Sequence, residues 1–483
     1  MLERIKPKRT FTEGPLFFKI LLFSLPIMAT GILQILYNMA DNIVVGKFSG
    51  DDLALAAVGC TASLTTLIVN LLSGIAAGTG VVVSQAYGAR DNDRVERAVH
   101  TAMTFSVIGG LLFMLLGLSV SRGALVLMGT NEEILGRAVL YFRIICLGIP
   151  ASAVYNFGAS ILRSIGDSKT PLAILSATGI VNVLLNLVFV IGFHMTVDGV
   201  AVATISAQYL SAIAVVAVLV ARKGENYALS FKRLRIEKPV FLRILRYGLP
   251  TGIQSSFFGI SNVLLTSAVN TFPTVVVSAK TIASNVDGIS YTAMNSFAQA
   301  SMTFVGQNYG AGKFDRVKRA LGYTFIQVSV LGLVLTQTEL LFGRSLARLF
   351  IEAGTENADL IVEYALEIMS VVLATYFLCG IMEVLSGAIR GMGYSVSSML
   401  VSLFGACFFR IFWVEVLFKN FEFFGTLRGL FLVYPVSWTI TISMQSVLVI
   451  RAFKRMNKMK EAAEAKASAS KELEDNSLVE SAK

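Results

Sequence analysis

Charge is scarce in this sequence: Asp, Glu, Lys and Arg make up 15% of 483 residues, against 55% hydrophobic. So small a polar fraction excludes a soluble fold of this length. Histidine is nearly absent, and His100 and His194 fall near opposite ends of the apolar spans, so no His cluster can hold a catalytic metal. The four cysteines, Cys60, Cys146, Cys379 and Cys407, are far apart, each inside an apolar run. They read as small hydrophobes, not as a disulfide or metal set. A phosphate loop is missing too, because Gly46-Lys47 and Gly312-Lys313 are each followed by Phe where Ser or Thr is needed. ATP hydrolysis, a Ser or Cys triad and a resident cofactor therefore find no support, and the chain is read as a non-enzyme.

Long apolar runs are what the sequence does have. About twelve recur, near 17–40, 54–84, 98–121, 139–161, 171–194, 199–221, 241–269, 276–305, 320–342, 361–389, 395–418 and 428–450. Each is long enough to cross a hydrocarbon core of about 30 Å as a helix. The first lacks a signal-peptide cleavage site and is expected to stay as an anchor. An all-α integral membrane protein with twelve transmembrane helices follows. Its lipid-facing surface makes the bilayer its principal partner, and a monomer in the plasma (inner) membrane is expected.

The net charge of +10 is distributed by topology, which rejects a nucleic-acid reading. With a cytoplasmic N-terminus, 31 Lys and Arg fall inside, eight outside, and Arg143 and Arg410 within spans. That is the positive-inside asymmetry, and it puts both termini in the cytoplasm. The inside set includes Arg4, Lys6, Lys8, Arg9, Lys232, Arg233, Arg235, Lys238, Lys454 and Arg455.

The chain is also duplicated. Gln85 to Ala98 (QAYGARDNDRVERA) returns 222 positions later as Gln307 to Ala320 (QNYGAGKFDRVKRA), with nine identities. Leu25-Pro26 matches Leu249-Pro250, and Ile161-Leu162-Arg163…Gly166 matches Ala388-Ile389-Arg390…Gly393. Six spans per half make these parallel repeats, related by an axis along the membrane normal. The expected units are a cytoplasmic lead (1–15), a first half (16–221), a basic connector (222–240), a second half (241–452) and a polar cytoplasmic tail (453–483). In the repeated loop, Gly88 and Gly310 are read as permitting a turn before helices that start at Asp93 and Asp315; the loop is either a hinge or a cytoplasmic gate.

Asp41 is the strongest functional candidate, since a carboxylate near hydrocarbon costs a few kcal/mol and usually faces a cavity or partner. Gln34, Asn38 and Asp41 share one helix face by i, i+4, i+7 spacing. Asn182 and Asn186 in the fifth span lie at compatible depth, with Asn156 in the fourth and Thr204 in the sixth as further polar groups. Aligning Pro26 with Pro250 sets Asn38 against Asn262 but Asp41 against Leu265, so the carboxylate is confined to the first half. The second half has Asp287, Glu383 and Arg410 within spans; Asp287 and Arg410 lie at similar depth, where a structural ion pair is one reading and a coupling or substrate site the other. Pro26 and Pro250 interrupt the opening helix of each half and are candidate bends.

The ordered set Leu25-Pro26, Tyr37-Asn38…Asp41…Val45-Gly46, Gln85…Tyr87-Gly88-Ala89, Leu162-Arg163…Gly166-Asp167 and Phe304-Val305-Gly306-Gln307-Asn308…Gly310-Ala311 resembles the multidrug and toxic-compound extrusion (MATE) transporters. The resemblance implies a V-shaped pair of six-helix bundles, alternating access, and export of small organic, often cationic, compounds in exchange for H⁺ or Na⁺. By similarity Asp41 is the cation-responsive carboxylate, supported by Asn182 and Asn186, with Gln34, Tyr37, Asn38, Asn156 and Thr204 lining the same cavity. Many members carry Asp where Asn186 stands, so a two-carboxylate site is reduced here to one. A flippase for a lipid-linked precursor is the alternative within the superfamily; a channel or membrane scaffold is the alternative outside it.

Overall fold

The computed structural model describes residues 11–48, 53–351 and 355–481. Arg4, Lys6, Lys8 and Arg9 of the expected lead lie outside the described residues. The described chain is mainly helical, and its twelve main helices are α1 (Leu16–Phe48), α2 (Ala54–Gly88), α3 (Asn92–Leu127), α4 (Glu132–Ser164), α5 (Lys169–Leu187), α6 (Val197–Ala221), α7 (Lys238–Val269), α8 (Thr274–Gly310), α9 (Phe314–Leu341), α10 (Ala358–Gly391), α11 (Ser395–Phe418) and α12 (Val433–Ser481). The two repeated loops lie at one end of the bundle, called here the basic end; the opposite end is the far end.

Ten of the helices are long and apolar enough to cross a membrane. α7 and α8 match them in length, at 32 and 37 residues, but are more polar. Both pack against helices of the two halves, α7 on α2 and α11 and α8 on α1, α2 and α10, so part of their polar surface is covered by protein.

Helix ends follow the local sequence. Asp91 caps α3 by accepting from the Arg94 amide at 3.0 Å, and Asn131 caps α4 through the Glu133 amide at 3.1 Å. The residues in left-handed conformation after α2 and α8 are Arg90 (φ 60) and Gly312 (φ 67), not Gly88 and Gly310 as the sequence suggested. Gly88 and Gly310 are the last helical residues, and a different constraint holds them. The other repeated anchor behaves alike in both copies: Gly166 (φ 100) and Gly393 (φ 90) are left-handed, and Arg163 and Arg390 each give Nε to the carbonyl four residues back at 3.2 Å.

The helices α1 and α7 exchange bundles along their length. Leu16, Ile20, Phe23 and Ile27 of α1 are buried in the second-half core, while Val44 and Val45 join a first-half cluster. α7 does the reverse, with Ile244 in the first-half core and Leu265, Ala268 and Val269 in the second. Pro26 and Pro250 sit inside these two helices, which continue through both prolines.

Close contact between the halves gathers at the basic end. A Cβ on Gly74 would lie 2.2 Å from Gly252 Cα, one on Gly78 2.4 Å from Gly248 N, one on Gly88 1.9 Å from the Gln307 carbonyl, and one on Gly310 2.0 Å from the Gln85 carbonyl. Backbone-to-backbone approach is what excludes any side chain there. The paired glutamines lock the seam: Gln85 Nε2 donates to the Gly391 carbonyl at 2.8 Å and Gln307 Nε2 to the Ser164 carbonyl at 2.7 Å. Each repeat thus reaches into the turn of the other. Phe11 is buried beneath this seam, its amide bonded to Gln307 Oε1 at 2.9 Å and its ring stacked on Phe304 at 3.8 Å.

The connector is pinned to α3, with the Ser230 amide bonded to His100 Nε2 at 3.1 Å and Arg233 paired with Glu96. Beyond the bundle α12 runs on as helix through the polar tail to Ser481, and it touches the second repeated loop through Lys460–Asp315 at 2.8 Å.

Candidate functional site

Asp41 lies on the far part of α1, about 38 Å along the helix from Leu16. α5 and α6 close on it there. Asn186, fully buried, gives its amide nitrogen to Asp41 Oδ1. Thr204 Oγ1 stands 3.4 Å from Asp41 Oδ2 and 2.9 Å from the Val200 carbonyl, which takes its single proton. Asn186 Oδ1 is buried and has no partner among the described residues. A carboxylate, an unsatisfied amide oxygen and a hydroxyl oxygen therefore gather on three helices. Such a donor set suits a proton or a hard cation.

Local sequence explains the convergence. Directly after Asn186 the fifth span loosens into a π-helical segment, Val188–Gly192, with the Phe193 amide reaching back to the Val188 carbonyl at 3.1 Å. Such segments are frequent at functional sites. Lower down, the Tyr37 ring covers Gly179, where a Cβ would meet it at 1.9 Å, and Tyr37 Oη donates to the Ser176 carbonyl at 3.2 Å. Tyr37 is thus a packing contact between α1 and α5. Tyr141 of α4, which sequence reasoning passed over, stands within electrostatic reach of Asp41.

The other first-half candidates divide. Asn182 is buried one turn from Asn186, and Gln34 and Asn38 are exposed along the Asp41 face of α1. Asn156 does not join the cluster: its amide bonds Ser152 of its own helix, at 2.8 Å to the carbonyl and 3.3 Å to the hydroxyl.

In the second half Asp287 and Arg410, which similar depth allowed to pair, form no ion pair with each other. Arg410 turns instead to Asn262 Oδ1 at 3.2 Å and Ser437 Oγ at 3.4 Å, with the Tyr434 ring centroid 4.6 Å from its Cζ. Asp287 feels Lys280 and Glu339 as its charged neighbours. Glu339 also escaped sequence reasoning, because it sits two residues from the end of α9 and reads as interfacial. It is buried, accepts from Ser290 Oγ at 2.7 Å, and has one oxygen without a partner. Its flanking Leu340 and Leu341 were the available signal. Glu383 is buried in the second-half core, with Arg390 as its charged neighbour. Leu265, which answers to Asp41, is 1% exposed and fills an apolar cluster.

A duplicated all-helical membrane fold with a polar cluster around a first-half carboxylate, and different buried charges in the second half, defines a transporter of two pseudo-symmetric halves. The MatE family model matches this chain twice, over residues 26–188 and 250–413, which is more than half its length. The chain belongs to that family of multidrug efflux transporters. It is 28% identical over 393 residues to a probable multidrug resistance protein, YoeA, of Bacillus subtilis, covering 79% of this chain and 83% of that one. A second Bacillus subtilis relative, the probable multidrug resistance protein YpnP, is 26% identical over 419 residues, covering 84% and 87%. Among solved structures, one described as the outward-facing conformation of a multidrug resistance MATE family transporter superposes with a TM-score of 0.85 at 20% identity, covering 93% of this chain and 98% of that one.

The Asn186 contact makes a testable demand. Removing a hydrogen bond to a charged, half-buried group costs about 1.5–3 kcal/mol. Asn186→Leu should therefore lower drug transport in everted vesicles by about tenfold or more, at unchanged protein level.

Proposed function

We propose that this chain is a secondary active antiporter that exports small organic, mainly cationic, compounds in exchange for H⁺ or Na⁺ by alternating access. The observation that carries the proposal is the oxygen cluster of Asp41, Asn186 and Thr204 at the far end of the first half. The excess of Lys and Arg assigns the basic end to the cytoplasm and both termini with it. In that orientation the glutamine and glycine seam closes the cytoplasmic side, and Asp41 is the group met from outside. A sealed seam argues against a channel.

Asp41 couples two fluxes because one charge serves two ligands. A proton or Na⁺ entering from outside neutralises the carboxylate, which weakens its hold on a cationic substrate and releases it outward. Return to the inward-facing state then carries the ion in, and loss of the ion restores the charge. Only a ligand with different affinity for the two states shifts such an equilibrium, and a carboxylate whose oxygens are shared with α5 and α6 has that property.

The test is a panel in proteoliposomes, with cationic dyes and with Na⁺ and pH gradients imposed independently. Uphill dye movement driven by one gradient and not by its absence is expected; dye movement indifferent to both gradients would overturn the antiport reading.

A further inference from the structure

The first half presents an acid, and at the matching place the second half presents a base. The two family matches run at an offset of 224 residues at the start and 225 at the end, so the counterpart of Asn186 is position 410 or 411. Asn38 likewise answers to Asn262. The pair Asn262 and Arg410 is thus the second-half version of the polar site on α1 and α5, with a guanidinium in place of the carboxylate system.

Backbone geometry repeats with it. Arg410 sits on a four-residue α-helical turn, Phe409–Phe412, between π-helical segments Leu403–Phe408 and Trp413–Phe418, as Asn186 sits beside Val188–Gly192. The same kind of helix irregularity therefore marks both sites.

Arg410 is 4% exposed, yet its partners are a neutral amide, a neutral hydroxyl and a tyrosine ring. No carboxylate pairs with it among the described residues, and both hydrogen bonds are long. A guanidinium carries five donors in a fixed fork, so most of its capacity is unused. Buried charge without a counter-ion is costly, and arginine in membrane spans ordinarily finds an anion or lines a pathway. Its neighbours Asn262 and Tyr434 are exposed and partly exposed, so the guanidinium lies one side chain below the surface.

We propose that Arg410, with Asn262 and Tyr434, forms a second-half subsite that binds the anionic group, a carboxylate or phosphate, of a transported amphiphile. This rests on the proposed function, export of small organic compounds by alternating access. It does not depend on Asp41 as the coupling group.

Equilibrium binding separates the two. The full chain in phosphatidylcholine nanodiscs is titrated, by fluorescence anisotropy, with rhodamine B, which has a free carboxylate, and with its ethyl ester, which has none. The native protein is expected to bind the acid more tightly than the ester; equal binding, or preference for the ester, overturns the proposal whatever the variants do. Arg410→Gln should weaken acid binding about tenfold, the scale of a charge-assisted bidentate contact, and leave the ester unchanged, with Arg410→Lys recovering part of the loss. Equal weakening of both probes would make Arg410 merely structural. Adding phosphatidylglycerol to the nanodisc should leave acid binding unaltered; a loss seen in the native protein alone would give the site to a lipid head group and refute the substrate assignment. No gradient is used, so failure of Asp41 as the coupling carboxylate would leave these results unaffected.

Discussion

A leucine at position 78 should abolish transport by holding the halves apart at the basic end. Gly78 has no room for even one carbon, since its Cβ would lie 2.4 Å from Gly248 N and 2.5 Å from the Ile244 carbonyl. Those neighbours are backbone and cannot rotate away. Overpacking of this kind costs about 1–3 kcal/mol or more, and a conformation in which the seam is open relieves it. The population of the closed seam should then fall by roughly ten- to a hundredfold. Gly123→Leu is the control, because nothing lies within 4 Å of its Cβ position. Spin labels at Leu127 and Leu341, exposed at the far ends of opposite halves, report the outcome. The distance between them should shorten in Gly78→Leu and remain native in Gly123→Leu, with dye export lost only in the former.

Asp41→Asn should reduce gradient-driven accumulation to the level of empty liposomes while leaving the fold intact. The substitution keeps the size of the side chain and can still accept from the Asn186 amide, so packing of α1 on α5 is retained. What it removes is the charge that, in the proposed mechanism, ion and substrate compete for. Among the described residues the side chains bonded to Asp41 are Asn186 and Thr204, neither of them acidic. Substitution should not destabilise the protein, since a half-buried carboxylate is costly to desolvate and an amide less so. An unchanged or raised thermal unfolding midpoint, together with lost ion-driven transport, is the expected combination.

The parts of this account that were legible in the sequence are those that depend on depth along a helix. Counting residues from helix ends placed Asp41 and Asn186 at one level, and the structure brings them into contact. Direction around the helix axis was less legible. Asn156 was at a plausible position but bonds its own helix, and Arg410 shared a depth with Asp287 but points elsewhere. The π-helical segment Leu403–Phe408 accounts for the latter, because a π-bulge displaces the residues after it around the axis, and an ideal 3.6-residue count from Ser395 misses that rotation. The repeat gave the loops and prolines, yet not why Gly88 and Gly310 recur. Their reason is the opposite half's backbone, which no local pattern records. Glu339 was hidden by its place at a helix end, where burial depends on α8 lying across it.

The most direct test of the central claim is the ion movement that substrate evokes. Proteoliposomes loaded with a pH-sensitive dye or with tracer Na⁺ are given a cationic substrate from the side on which the native transporter takes it up, without any imposed ion gradient. The native chain should move one of the two ions in the opposite direction to the substrate, and Asp41→Asn should move neither. Full substrate-evoked ion flux in Asp41→Asn would contradict the account and put the coupling site elsewhere in the fold.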